Sequence, residues 1–153
     1  MSTGHSDLKS GFSQLEATLQ EYFGKKAPAL PSAWKEIIVK FSPYVMLIIL
    51  VISLPALLAL LGVGSMLLPF SYVGGLGAGY QYTLSLVSSV ITIVLSALAI
   101  PGLFKRQIGA WRLLFYSTLL QMVINLVTLN LGGFIIGGAI SLYILFQVKE
   151  LYK

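Results

Sequence analysis

Hydroxyl and carboxamide side chains recur at helical spacing in two apolar segments, and they are the residues best placed to do chemistry there. They are Ser85, Ser89, Thr92 and Ser96 in the first segment, and Ser117, Gln121, Asn125 and Thr128 in the second. Residues three or four apart lie on one face of a helix, so each set forms a polar stripe. These groups donate and accept hydrogen bonds. The stripes can therefore hold two helices together, and Gln121 and Asn125 are the best candidates for a wetted cavity or polar ligand site.

The side chains that acid-base, nucleophilic or metal chemistry requires are scarce in this chain. It has no cysteine and one histidine, His5, near the N terminus, and no Asp or Glu occurs from residue 41 to residue 148. Such chemistry uses His, Cys or paired carboxylates placed together, so we expect neither an enzyme nor a bound metal or cofactor. The same scarcity disfavours a proton- or cation-coupled transporter.

The polar stripes must be carried by membrane helices, because the composition does not suit a soluble domain. Hydrophobic residues make up 57% of the 153 residues and charged residues 10%, with a mean hydropathy of +0.89. Soluble domains carry roughly 25% charged residues, and one crossing needs roughly 20 apolar residues. The sequence predicts an all-α integral membrane four-helix bundle of two transmembrane hairpins over residues 41–153, with crossings at about 44–61, 80–100, 111–129 and 134–148.

The sequence predicts that residues 1–40 form a separate cytosolic region that is amphipathic or interfacial. Leu8, Phe12, Leu15 and Leu19 recur at helical spacing, which predicts an amphipathic helix that lies on the membrane or packs against the protein itself or a partner. A proline-containing linker at 27–31 follows, and a second helix begins after Ser32 and bends at Pro43. Pro55 predicts a kink in the first crossing, with a gating hinge as the alternative.

Glycines mark two further features. Residues 62–79 hold six glycines, and we expect a connector in the headgroup region with a short helix near 65–72, or a loop that dips back into the protein. Gly133, Gly137 and Ser141 are spaced at fours with Gly138 adjacent. This GxxxG pattern predicts a helix-packing face, whose partner is the third crossing or another copy of the chain.

A basic turn separates the two hairpins. Lys105, Arg106, Trp111 and Arg112 suit lipid headgroup anchoring, with a specific phosphate or lipid-head site as the alternative. Four crossings place all ten Lys and Arg residues on one side of the membrane, so the positive-inside rule puts both termini in the cytosol, at a plasma membrane. This asymmetry accounts for the pI of about 9.5 without nucleic acid as a partner.

Three motifs at the membrane boundaries carry a resemblance: PGLFKR at 101–106, GAWRLLFY at 109–116 and LYILFQVKELYK at 142–153. In these motifs and in hydropathy, the chain after its proline linker resembles uncharacterised small four-helix membrane proteins of bacteria with reduced genomes. The resemblance implies a bacterial plasma (inner) membrane and no particular activity.

Two classes of function remain. The first is a structural, interaction or assembly module whose partners are membrane lipids and another copy of the chain or a larger membrane assembly. The second is an oligomeric passive channel or small-solute carrier lined by Ser, Thr, Gln and Asn. The first class requires fewer special features, because interhelical hydrogen bonds alone account for the polar stripes.

Overall fold

The computed structural model describes residues 3–153, which form helices and no strand. The helices are α1 (Thr3–Leu19), α2 (Ser32–Ala59), α3 (Ser65–Ser71), α4 (Leu76–Phe104), α5 (Ile108–Val127) and α6 (Gly138–Val148). Three wider π-helical turns extend or join them, at Gln20–Lys26, Leu60–Gly64 and Gly133–Gly137, and a 3-10 turn at Lys149–Leu151 follows α6.

Four helices are long and apolar enough to cross a membrane. We number them span 1 (Ser32–Leu67), span 2 (Leu76–Phe104), span 3 (Ile108–Val127) and span 4 (Gly133–Leu151). At about 1.5 Å per residue, span 2 is about 43 Å long, which exceeds a hydrocarbon layer of about 30 Å. None of the most apolar stretch of span 1 is buried inside the chain, so its apolar surface faces outward.

The helices in the first half of the chain are longer than the predicted crossings. Helix α2 is continuous through Pro43, where a bend was predicted, and through Pro55, where a kink was predicted. Proline removes the amide donor for the carbonyl four residues earlier, and the Ser42 hydroxyl supplies one by donating to the Val39 carbonyl at 3.3 Å. The short helix expected near residues 65–72 is present as α3, but it continues α2 instead of lying in a loop.

The glycine-rich stretch is therefore mostly helical, and its glycines allow close packing. The Tyr72 ring lies against Gly79, and the Tyr82 hydroxyl lies against Gly64; a Cβ atom at either glycine would overlap the tyrosine. Tyr72 also shares a hydrogen bond of 3.1 Å with Thr83. Only the short turn before Leu76 remains non-helical, where Gly75 has a φ of 114° that suits glycine.

Two helices end on a left-handed residue that is not glycine. After α4, Arg106 has a φ of 52°, and after α5, Leu129 has a φ of 55°. In each turn the amide of the following residue bonds the carbonyl five residues earlier, Gln107 to Gly102 at 2.8 Å and Asn130 to Asn125 at 2.7 Å. This is the Schellman arrangement, which satisfies the last carbonyls of a helix.

The buried core lies at one end of the bundle. It comprises Val39, Ala99, Leu103, Ala110, Trp111, Phe115, Leu142, Phe146, Val148 and Tyr152. The charged segments meet at the same end, which we call the charged end. At this end Arg106 forms an ion pair with Glu36 at 2.9 Å, and Lys35 forms one with Glu150 at 2.6 Å. Burial raises the pKa of the Tyr152 phenol, so this ring is neutral at pH 7.

The N-terminal helix docks on the protein's own charged end. Glu16 forms an ion pair with Lys149 at 2.7 Å, and the Phe12 and Tyr116 rings meet edge to face at 5.7 Å. Leu19 and Phe23 pack against the core. Among the arrangements that the sequence left open, the structure shows contact with the protein's own surface, while Leu8 stays 62% exposed.

Candidate functional site

A polar cavity of about 200 Å³ lies between α5 and span 4. Ser117, Gln121 and Asn125 come from one helix, and Ser141 comes from the other. Its full lining is Ser117, Thr118, Gln121, Met122, Asn125, Gly133, Gly137, Gly138 and Ser141.

A second polar cleft, of about 430 Å³, lies between α4 and α5. It is lined by Gln81, Ser85, Ser88, Ser89, Gln121, Ile124, Asn125, Thr128 and Asn130. Gln121 and Asn125 border both spaces, so their carboxamides stand where α4, α5 and span 4 converge. We call the two spaces together the polar cleft.

The two stripes meet at one hydrogen bond. The Gln121 side-chain amide donates to the Thr92 hydroxyl at 3.0 Å. Two other hydroxyls of the stripes bond their own helix: Ser89 donates to the Ser85 carbonyl at 2.7 Å and Thr128 to the Ile124 carbonyl at 2.8 Å. The Asn125 carboxamide takes no part in this contact.

Several polar groups of the stripes have no hydrogen-bond partner within residues 3–153. The Ser117 side chain is buried, with 8% exposed, and its hydroxyl is unpaired; the Asn125 carboxamide and the hydroxyls of Ser85, Ser96 and Ser141 are likewise unpaired in that range. Ser96 lines neither part of the cleft. No fully buried side-chain nitrogen or oxygen in residues 3–153 lacks a hydrogen-bond partner, so the unpaired groups that line the cleft are accessible to an occupant with hydrogen-bonding groups.

The glycines of span 4 act differently from the GxxxG prediction. A Cβ atom at Gly138 would stand 2.8 Å from Met122, and one at Gly133 would stand 2.8 Å from Asn130. A Cβ atom at Gly137 would meet nothing within 4 Å. The residues at 133–137 form a wider π-helical turn, which shifts the inward face from position 137 to position 138. Gly137 therefore borders the cleft without packing against α5.

Two of the expected lipid anchors have other roles. Trp111 is fully buried, and its indole donates to the Leu145 carbonyl at 2.7 Å. Arg106 forms a two-bond ion pair with Glu36. The position of Trp111 beside an apolar segment could not distinguish an outward side chain from an inward one. The Arg106 side chain stays 42% exposed, so its predicted headgroup contact stays a prediction. Lys105 and Arg112 are exposed and have no ion-pair partner in the described part of the chain.

Gln147 is a residue that the sequence did not single out. It is 2% exposed; its amide donates to the Phe23 carbonyl at 2.9 Å, and its carbonyl accepts from the Leu30 amide at 3.1 Å. Nearby, Tyr143 donates to the Pro28 carbonyl at 2.6 Å. A glutamine in an apolar helical turn was the available signal, but its partners are backbone groups more than a hundred residues away.

The Thr92–Gln121 contact can be measured with a double-mutant cycle. We expect Thr92→Val and Gln121→Leu to be coupled by about 0.6 kcal/mol, the average for side-chain hydrogen bonds between membrane helices. The measurement is reversible unfolding in bicelles of both single variants and the double variant. A cycle of Asn125→Leu with Thr92→Val is the control, and coupling there equal to that of the Gln121 cycle would contradict the assignment.

Comparison of the chain with protein-family models, curated proteins and solved structures finds no match. The class is therefore defined by the fold alone: a helical protein with four helices long and apolar enough to span a membrane, and a polar cleft among three of them.

Proposed function

We propose that the chain is an integral membrane bundle of the bacterial plasma membrane, with both termini and the basic turn in the cytosol. Outward-facing apolar surface along span 1 requires a nonpolar surrounding. The charged residues meet at one end of the bundle through ion pairs that join its N-terminal, middle and C-terminal segments. An excess of Lys and Arg on one side favours the cytosolic side for that end.

Within the membrane, the bundle serves as an assembly module that joins a second copy of the chain, and we propose no catalytic role. One observation carries this proposal. Gly137 is exposed beside unpaired polar groups of the cleft, with open space where its side chain would be. Glycine lets another helix approach closely, and hydroxyl and carboxamide groups bond across such contacts.

The alternative is an oligomeric passive channel lined by residues such as Ser85, Ser89 and Asn125. The polar lining of the cleft favours it. Within one copy, however, Leu103, Trp111 and Phe115 fill the charged end, each no more than 1% exposed. A passage for solutes would therefore require several copies.

Native mass spectrometry from lipid nanodiscs tests the assembly proposal. We expect a discrete oligomer for the unaltered chain, weakened by Gly137→Leu by about tenfold or more in its association constant, or about 1.4 kcal/mol, because the leucine fills the space that the partner helix needs. Gly62→Leu is the matched control, since Gly62 also lies in a π-helical turn with open space around it.

Three results decide the matter. A monomer under all conditions contradicts self-assembly, and so does an equal loss from both substitutions. An oligomer that also carries uncharged solutes into liposomes favours the channel alternative.

A further inference from the structure

A groove of about 340 Å³, separate from the polar cleft, lies between α1 and α5 at the charged end. It is lined by Lys9, Phe12, Ser13, Glu16, Arg112 and Tyr116, and we call it the α1–α5 groove. The contacts of α1 with the bundle hold its two walls together, through the Glu16–Lys149 ion pair and the Phe12–Tyr116 ring contact.

Four hydrogen-bond donors border this groove without partners. Within residues 3–153, no hydrogen bond or ion pair engages the Lys9 ammonium, the Ser13 hydroxyl, the Arg112 guanidinium or the Tyr116 hydroxyl. Lys9 and Arg112 are cations, and arginine can bind a phosphate through two parallel bonds. Such a set of donors suits an anion with several oxygen atoms.

Glu16 is the one acidic side chain in the lining, and its charge is already balanced. Its carboxylate lies 2.7 Å from the Lys149 ammonium, and 20% of the side chain is exposed. The groove therefore carries the positive charge of Lys9 and Arg112 without an opposing free carboxylate.

The apolar part of the groove indicates that its ligand is a lipid and not a soluble phosphate. Phe12 is 44% exposed, and along the same helix Leu8 is 62% and Leu15 is 40% exposed. Arg112 lies in the second turn of α5, near the charged end of span 3. Polar donors thus stand beside outward-facing apolar side chains at the boundary of a membrane-crossing helix, which matches an amphiphile with an anionic head.

We propose that the α1–α5 groove binds the phosphate headgroup of an anionic phospholipid. Lys9 and Arg112 neutralise the phosphate, Ser13 and Tyr116 donate hydrogen bonds to it, and an acyl chain lies along Phe12. The site rests on the proposed insertion in a membrane. It adds a contribution from α1 to the lipid contact that the sequence assigned to the basic turn alone.

Lipid retention in native mass spectrometry tests this site, using protein released from nanodiscs of phosphatidylglycerol and phosphatidylcholine. We expect one preferentially retained phosphatidylglycerol. The double substitution Lys9→Ala with Arg112→Ala lowers that retention by about tenfold to thirtyfold, since each cation near the surface contributes about 1 kcal/mol. Lys25→Ala with Lys40→Ala is the matched control, because it removes the same charge from exposed cations outside both the groove and the basic turn.

Several other outcomes of this measurement contradict the proposal. Equal losses from the two double variants mean attraction to surface charge alone, and no preference for phosphatidylglycerol in the unaltered chain means no site. Displacement of the lipid by glycerol 3-phosphate means a site for soluble phosphates. Lys9→Arg keeps the charge at this position and is expected to retain the lipid, so loss of the lipid in this variant contradicts the assignment.

The same measurements separate this site from the proposed function. The oligomer mass reports assembly, while the mass added to each copy reports the lipid, so either can fail alone. Flotation of the chain with vesicles of pure phosphatidylcholine reports insertion independently of anionic lipid.

Discussion

Replacing Trp111 with alanine is expected to lower the free energy of unfolding by about 3 kcal/mol or more, the lower part of the range for large aromatic residues in protein cores. The Trp111 ring is fully buried and stacks on Phe115 at 5.4 Å, while Phe146 meets it edge to face at 5.4 Å. The cavity left behind costs dispersion contacts whatever the surrounding solvent is. Reversible unfolding in bicelles measures the change.

The chain contains its own control for this substitution. The other tryptophan of the chain, Trp34, is 59% exposed. Trp34→Ala is therefore expected to change the free energy of unfolding by less than about 0.5 kcal/mol. Trp111→Phe keeps one aromatic ring but loses the bond to Leu145 and leaves a smaller cavity, so its cost is expected to lie between those of Trp34→Ala and Trp111→Ala. If Trp111→Ala and Trp34→Ala had equal effects, Trp111 would lie at the headgroups as its sequence position suggests.

The sequence was sufficient to predict the helical class and the four long apolar helices, because both depend on composition and periodicity. The first two of these helices extend beyond the predicted crossings. Pro43 was taken as a bend and residues 62–79 as a connector, yet helix α2 continues through Pro43, and Gly64 and Gly79 lie under tyrosine side chains. A break and a close contact use the same residue type, and only the neighbouring helix distinguishes them.

The polar stripes illustrate the same limit within the candidate site. Helical spacing placed Thr92 and Gln121 on facing surfaces, and they do form a hydrogen bond. The spacing placed Gly137 and Gly138 on one packing face but could not anticipate the π-helical turn at 133–137, after which Gly138 lies against Met122 while Gly137 faces open space. Backbone geometry of that kind depends on packing against α5, which a one-dimensional pattern does not contain.

One buried side chain, Gln147, helps to hold the N-terminal region against span 4. Amphipathic spacing in α1 left its docking partner open, because a membrane surface and a protein surface both bind an apolar stripe. In the structure α1 contacts the bundle through the Glu16–Lys149 ion pair. Gln147 holds the segment after α1 by bonding the Phe23 carbonyl and the Leu30 amide through the two ends of its carboxamide.

Replacing Gln147 with leucine is therefore expected to release the N-terminal region while the four spans stay folded. Leucine has a similar volume but leaves the Leu30 amide and the Phe23 carbonyl without partners, and each unpaired buried group costs about 1–3 kcal/mol. Local opening then becomes about tenfold to a hundredfold more frequent, which hydrogen exchange of the Leu30 amide measures directly. Trypsin cleavage after Lys25 or Lys26 should accelerate in parallel.

Two further variants test whether this release is specific to Gln147. Tyr143→Phe removes only the bond to Pro28 and should raise the exchange rate less, while Gln81→Leu, at an exposed position lining the polar cleft, should leave it unchanged. Unchanged exchange in the Gln147→Leu variant would mean that α1 is held by the bilayer instead of by span 4. Because Lys9 and Ser13 reach the α1–α5 groove only when α1 is docked, the released variant should also lose its bound anionic lipid, with Arg112 still in place.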